Sequence, residues 1–252
     1  VTCGYLDFAD NFVQSLERNG VTNYLLVPLD EKSLQVLGMA YPDHTLPMMP
    51  GIASAPSEAS FWAKKDFKTI TATRPEFLIS FLTKGYTVMY NDIDRVWLQN
   101  VWTEFDRMNF TLILVDDVPG LTNKTESNNY STSLMYLEPT DRNIQLLREW
   151  RNAILEDSED RLAGDQGYFN DIFRHQKNLK KFAPHDWTKA YTGDFPTGND
   201  YFWDYNNYSQ HDHNIQVVHA NYLVGKQNKR KRLLEMGHWN LSGKIPAVVT
   251  CG

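Results

Sequence analysis

Tyr86-Thr87-Val88-Met89-Tyr90-Asn91-Asp92-Ile93-Asp94-Arg95-Val96-Trp97 is the stretch on which the fold turns. Its first half, Tyr86 to Tyr90, is a β-branched and aromatic run that reads as a strand. The strand leads straight into two aspartates, and open α/β sheets bind ligands just beyond such strand ends. Upstream, Pro75 reads as the start of a helix with Phe77, Leu78, Phe81 and Leu82 on one face, closed by Lys84-Gly85. Alternate residues of an extended segment point the same way, so Asp92 and Asp94 can share one hard cation, or divide the work between metal and ribose. A pyrophosphate supplies the anionic ligands such a cation still needs, and the ion offsets charge on a departing diphosphate. The competing reading is a strand-end turn in which both aspartates cap backbone amides.

Outward from this block, strand and helix signals alternate. Val1 to Gly4 reads as a short strand, followed by a helix with Phe8, Phe12 and Leu16 in phase that stops at Asn19-Gly20. Tyr24 to Val27 reads as a buried strand, and Leu34 with Leu37 before Gly38 as a short helix. Residues 41–56 carry four prolines and little periodicity, which predicts a long loop. Further on, Phe110 to Val115 predicts a strand ending in Asp116-Asp117, and Leu134 to Leu137 a strand feeding a helix. That helix should bury Ile144, Leu147, Ile154 and Leu155 and turn Arg148, Glu149 and Arg151 to solvent. Asp165-Gln166, after Gly164, opens a helix bearing Phe169, Ile172 and Phe173, where Asp165 also reads as a plain N-cap. Ile215 to Val218 is a strand delivering His219, although a lone strand-end histidine is ordinarily structural. The pattern predicts a single α/β domain spanning residues 1–252, a mostly parallel central sheet flanked by helices.

Composition narrows the function classes. A formal charge of -6 argues against nucleic-acid binding, and the basic run Lys226 to Arg232 reads as a solvated helix face. No apolar run approaches the roughly 20 residues that span a bilayer, so no membrane contact is expected within this chain. Aromatic residues at 13% suit a cleft that packs flat rings on sugar faces. Two cysteines, Cys3 and Cys251, make no disulfide framework and no cysteine zinc site. Five Asn-x-Ser/Thr sequons, at Asn109, Asn123, Asn129, Asn207 and Asn240, matter only in a secretory compartment and point to the lumen.

These residues together resemble the nucleotide-diphospho-sugar transferase domains that include plant rhamnogalacturonan xylosyltransferases and cell-wall arabinosyltransferases. The likeness rests on Val1-Thr2-Cys3-Gly4-Tyr5 with Asn11, the block from Lys84 to Trp97, and Ser133 to Thr140 followed by Trp150. It continues through Asp165-Gln166, Phe195-Pro196-Thr197-Gly198 and His219 to Lys226. The resemblance implies a single-domain GT-A-type glycosyltransferase fold, a UDP-linked sugar donor, Mn2+ or Mg2+, a hydroxyl acceptor on a glycan, glycoprotein or small molecule, and retention of configuration. It implies Asp92, Asp94 and His219 as metal ligands, and Gly225 and Lys226 at the diphosphate. Asp165 and Gln166 would line the donor sugar near the anomeric carbon, Arg74 would be the basic residue ahead of the acidic motif, and Thr2, Cys3, Gly4 and Tyr5 would lie under the base. A Golgi or secretory-lumen location follows, with any membrane anchor outside these residues.

One step departs from the family pattern: Ser131-Thr132-Ser133 stands where relatives carry Asn-x-Gly, and the Asn129 sequon beside it would put a glycan at the lip of the site. Val-Thr-Cys-Gly occurs at residues 1–4 and again at 249–252, which fits a tandem second domain, chance, or a Cys3–Cys251 pair tying the ends together. Few carboxylates besides Asp116, Asp117 and Asp165 stand where they could face the cleft as a general base, which also favours retention. Two alternatives remain from the residues: a haloacid-dehalogenase-like phosphatase, whose Asp-x-Asp nucleophile motif Asp92-Ile93-Asp94 also fits, and an inactive sugar-binding relative.

Overall fold

Leu112-Ile113-Leu114-Val115 shows how the core is built, because successive side chains of a strand leave on opposite faces. Leu112 and Leu114 pack with Leu78, Leu82, Leu147, Trp150, Phe169 and Phe173 on one face. Ile113 and Val115 pack with Phe12, Leu16, Phe105, Phe195 and Val217 on the other. Helices therefore cover both faces of one sheet.

The computed structural model describes residues 1–48, 65–118, 128–156, 164–183, 185–203 and 214–251. Helices α1 (Leu6–Arg18), α2 (Glu31–Ala40) and α3 (Lys65–Leu82) precede strands β1 (Val88–Asn91) and β2 (Arg95–Trp97). Then come α4 (Val101–Arg107), β3 (Leu112–Asp116), β4 (Tyr130–Leu137), α5 (Asp141–Glu156), α6 (Gly164–Asn178) and β5 (Trp187–Lys189). Helix α7 (Gly198–Trp203), β6 (Val217–His219) and α8 (Lys226–Glu235) complete the described elements.

The sheet runs β1-β4-β3-β5, and a separate pair joins β2 to β6. β4 is antiparallel to both β1 and β3, while β3 and β5 are parallel. The α/β architecture stands, but the described sheet is mixed rather than mostly parallel. Pairing direction is set by how β4 returns between its neighbours, which local patterning does not encode. Beyond Met135, β4 shifts register against β3, so that Val115 faces Ser131 and Thr132 to Leu134 bulge away. Bulges of this kind re-aim side chains beside sites, and here the backbone N–H of Asp92 donates to the Ser133 carbonyl at 2.8 Å. The β2–β6 register sets Arg95 opposite His219, which brings the acidic loop against the histidine.

Several local expectations need correction. Residues 1–4 and 24–27 form no regular strand: Cys3–Tyr5 is a 3-10 turn, although the Val1 nitrogen and carbonyl bond to Val27 and Leu29 and Leu26 bridges Thr45. α3 runs through Pro75 instead of starting at it, because packing of Phe77 to Leu82 against α5 and α6 outweighs the lost amide. In α5, Leu155 is 71% exposed, and the buried stripe is Asn143, Leu146, Leu147, Trp150 and Ile154, with Ile144 half-buried. The loop expected over 41–56 includes a 3-10 turn at Pro42–His44, and its part from residue 49 lies outside the described residues. The Asn123 and Asn207 sequons also lie outside them.

Cys3 and Cys251 form a disulfide with Cα atoms 5.8 Å apart. The Cys3–Cys251 pair expected among the three explanations of the repeated Val-Thr-Cys-Gly is therefore present. The tail is held further by Ile245 in the cluster of Leu6, Val13 and Leu37. Buried Asp10 accepts from Tyr41 and from Ser242, and Asn11 accepts from the backbone of Asn240.

Candidate functional site

Asp92 and Asp94 follow the end of β1 on the wall of a cavity of about 1540 Å³. His219 reaches the same point from the end of β6, and ligand atoms of Asp92, Asp94 and His219 all lie within 4.8 Å of one another. Two carboxylates and an imidazole are a donor set that suits Mn2+ or Mg2+ completed by substrate oxygens. Burial, with the nearby Arg95 guanidinium, pushes His219 below its ordinary value, so the ring is neutral at pH 7 and carries a lone pair. Its Nδ1 lies 3.3 Å from the Ser133 hydroxyl, which also accepts from Arg95 at 3.1 and 2.6 Å. Ser133 thus takes part in orienting the histidine; the Ser131-Thr132-Ser133 departure supplies a support instead of leaving a gap.

Arg74, 7% exposed, joins the two halves of the site. It donates to Asp92 Oδ1 at 3.0 Å and to Thr132 Oγ1 at 2.6 Å, and lies 2.9 Å from Asp165 Oδ2. Its guanidinium sits over the Tyr90 ring, whose hydroxyl also donates to Asp92 Oδ1. Burial and the Asp92 charge, opposed by Arg74, raise the Asp165 carboxyl from 3.8 to about 6. Asp165 lies in the first turn of α6, its carboxyl taking backbone amides there while also being buried against an arginine, and the Trp150 indole donates to its backbone carbonyl at 2.8 Å.

That raised value carries a sign. Between about pH 4 and pH 6 the folded chain holds a proton on Asp165 that the unfolded chain has released, so this group's contribution to stability falls as pH rises through the window. The wild-type-minus-Asp165→Asn difference in unfolding free energy should drop by about 2–3 kcal/mol from pH 4 to pH 7. Urea unfolding of both proteins across that range reads it directly. A flat difference would mean that the carboxyl is solvated.

The Gln166 amide is committed at both ends: Oε1 accepts from the Thr132 backbone at 3.1 Å and Nε2 donates to Asp117 at 2.7 Å. Asp117 also accepts from Asn221 at 2.7 Å, and its backbone carbonyl accepts from the Tyr222 hydroxyl. Asn221 accepts in turn from the Gly198 N–H at 2.5 Å. A Cβ on Gly198 would sit 2.1 Å from the Asn221 carbonyl oxygen and 2.7 Å from that of His219, so only glycine lets α7 support this loop. Tyr90, Thr132, Ser133, Arg95 and Asn221 were given no role in the site from sequence, and Asp117 was named there only as a carboxylate that could face the cleft. Tyr90, Arg95, Ser133 and Asn221 lie within the stretches that carry the family resemblance, whereas Thr132 has no local signal beyond polarity.

Thr2 and Tyr5 line the cavity, as do Gly225 and Lys226. Cys3 is instead committed to the disulfide and buried, and neither it nor Gly4 is among the lining residues. Gly225 opens α8 at a φ of 84°, and Lys226 pairs with Asp7 at 2.8 Å. Reading the basic run as a solvated face fails at Lys229, whose ammonium lies 2.5 Å from Asp94 Oδ2. Burial works against ionising Asp94, yet Lys229 and His219 hold it well below the carboxylate range.

A family model described as nucleotide-diphospho-sugar transferase matches residues 19–233. The chain is 28% identical over 262 residues to UDP-D-xylose:L-fucose alpha-1,3-D-xylosyltransferase 1 of Arabidopsis thaliana, covering 95% of this chain and 68% of that one. Its fold matches that of the galactosyltransferase LgtC, solved with donor and acceptor sugar analogues, at a TM-score of 0.58 and 13% identity over 99% of this chain and 95% of that one. It also matches mouse xyloside xylosyltransferase 1 at a TM-score of 0.52 and 10% identity, over 88% and 94%.

Proposed function

The chain belongs to the nucleotide-diphospho-sugar transferase family, and from that premise we propose that residues 1–252 are one catalytic domain of a metal-dependent, retaining enzyme. The family and the GT-A fold make it a glycosyltransferase that draws on a nucleotide-sugar donor. The finer reading is carried by the convergence of Asp92, Asp94 and His219 at the end of β1. When bound there, Mn2+ or Mg2+ supplies charge to offset the departing diphosphate. Asp92 and Asp94 provide oxygen donors, and neutral His219 a nitrogen oriented by Ser133. Gly225 and Lys226 border the diphosphate, and Thr2 and Tyr5 the base.

Retention is supported by the state of Gln166. Its carbonyl oxygen is turned to the Thr132 amide and its nitrogen to Asp117, which holds the oxygen away from attack; in this reading Gln166 lines the donor sugar without bonding to it covalently. The departing phosphate then takes the acceptor proton on the face it leaves, and configuration is kept. Gln166→Ala should retain activity within about tenfold, whereas Asp165→Ala, which releases Arg74 and the start of α6, should lose about 100-fold. Proton NMR of fresh product decides the stereochemistry; a β-linked sugar from an α-linked donor would overturn retention.

UDP-xylose with an L-fucoside acceptor is the first pair to test, by analogy with the plant relative. Thermal-shift screening of nucleotide sugars with and without Mn2+ identifies the donor, because a ligand of the folded state raises stability by mass action. A Cys3–Cys251 disulfide and an exposed Asn109 sequon support a secretory-lumen, Golgi-type location. Among the described residues no helix is long and apolar enough to cross a membrane. The phosphatase alternative is set aside, because the transferase match runs through Asp92 and Asp94 themselves.

A further inference from the structure

We propose that Lys229 is a built-in counter-cation for Asp94, which the incoming divalent ion must displace and which then serves the diphosphate. The inference rests on the divalent-cation reading above. Its observation is an asymmetry between the two aspartates. Asp92 takes Arg74 and Tyr90 on Oδ1 alone, and its Oδ2 accepts no hydrogen bond among the described residues. Asp94 instead carries a cation, with Lys229 Nζ 2.5 Å from Oδ2, while its Oδ1 faces the neutral His219 Nε2 at 3.4 Å. One half of the cation site stands open, and the other is closed by an ammonium.

Two cations cannot share one carboxylate oxygen at contact distance without strong mutual repulsion. An ion that uses Asp94 Oδ2 therefore drives the Lys229 ammonium off. The lysine has somewhere to go. It stands one turn beyond Lys226 on α8, at the i,i+3 spacing that places two side chains on neighbouring parts of one helix face. Gly225, Lys226, Gln227, Asn228 and Lys229 all border the cavity. Released from Asp94, the ammonium stays within the cavity, beside the ground assigned to the diphosphate, where a mobile point charge suits phosphate oxygens. In the resting protein the same lysine relieves repulsion between Asp94 and the neighbouring carboxylates.

The test is calorimetric titration of the nucleotide-free protein with Mn2+ alone. Lys229→Met should bind Mn2+ roughly tenfold or more tightly than wild type, because the competing charge is gone. Lys231→Met removes the same charge from the exposed side of α8, where the side chain is 72% exposed, and should match wild type. Asp94→Asn should lose the binding. Equal Mn2+ affinity in Lys229→Met and Lys231→Met would overturn the proposal while leaving the metal reading intact. No Mn2+ binding to wild type or to Lys229→Met would remove both. Wild-type protein gives an independent readout should Lys229→Met fail to fold: amine acylation at Lys229, followed by mass spectrometry, should rise several-fold on adding Mn2+. Unchanged acylation in Mn2+-bound protein would equally overturn the displacement.

Discussion

Asp94→Asn will reduce sugar transfer by at least about 1000-fold, the scale expected when charge stabilisation of the leaving group is lost, and it will also destabilise the fold. The first effect follows from its place between His219 and the end of β1, and Asp92→Asn should match it. The second separates the two. Neutralising Asp94 strands the Lys229 ammonium, 19% exposed at its side chain, without its carboxylate. That costs about 1–3 kcal/mol, less than for a fully buried pair because the lysine reaches some solvent. Asp92→Asn leaves Arg74 with Asp165 and Thr132, so its stability should change by under about 1 kcal/mol. Donor turnover and urea midpoints of both variants check this. Turnover at the parent rate in either would remove that aspartate from the mechanism, and equal midpoints would remove the distinction between their partners.

Replacing Cys3 and Cys251 with serine should lower stability by about 4–5 kcal/mol, because the bond closes a loop with a sequence separation of 248. In a chain of this size that is a fall in melting temperature of roughly 10 °C or more. The unfolded ensemble gains freedom, and the folded state loses the staple holding the tail to the start of α1. Thr2 and Tyr5 flank Cys3 and line the cavity, so donor KM should rise along with the loss of stability. Melting curves with and without reductant, and donor saturation curves for the double variant, read both effects. An unchanged melting temperature would show that Ile245 and the Asp10 network hold the tail by themselves.

What could be read from sequence follows the range of the interactions. α1, α2 and the strand before Asp92 carry their instructions locally, in the phase of Phe8, Phe12 and Leu16, the Asp30–Ser33 capping box and the β-branched run to Tyr90. The acidic pair and His219 were legible because each ends a recognisable strand. Lys229 was not. The run from Lys226 to Arg232 has no apolar phase, so nothing local separates the lysine that turns inward from those facing water; Asp94, 135 residues away in sequence, decides it. The same holds for the ties of Asp117 to Gln166 and Asn221, and for Ser133, which a β4 bulge presents to His219 and Arg95. Leu155 was read as buried because leucine composition stood in for phase, while Leu146 and Trp150 carried the true stripe.

The bond between Cys3 and Cys251 also sets how the domain responds to pulling. Its two Cα atoms lie 5.8 Å apart, and the whole chain between them forms one covalently closed loop. Tension applied between residues 3 and 251 passes through that covalent bridge. The sheet and the cavity lie outside that load path and feel none of the force. A pull on these two residues therefore leaves Asp92, Asp94 and His219 in register as long as the bond is intact.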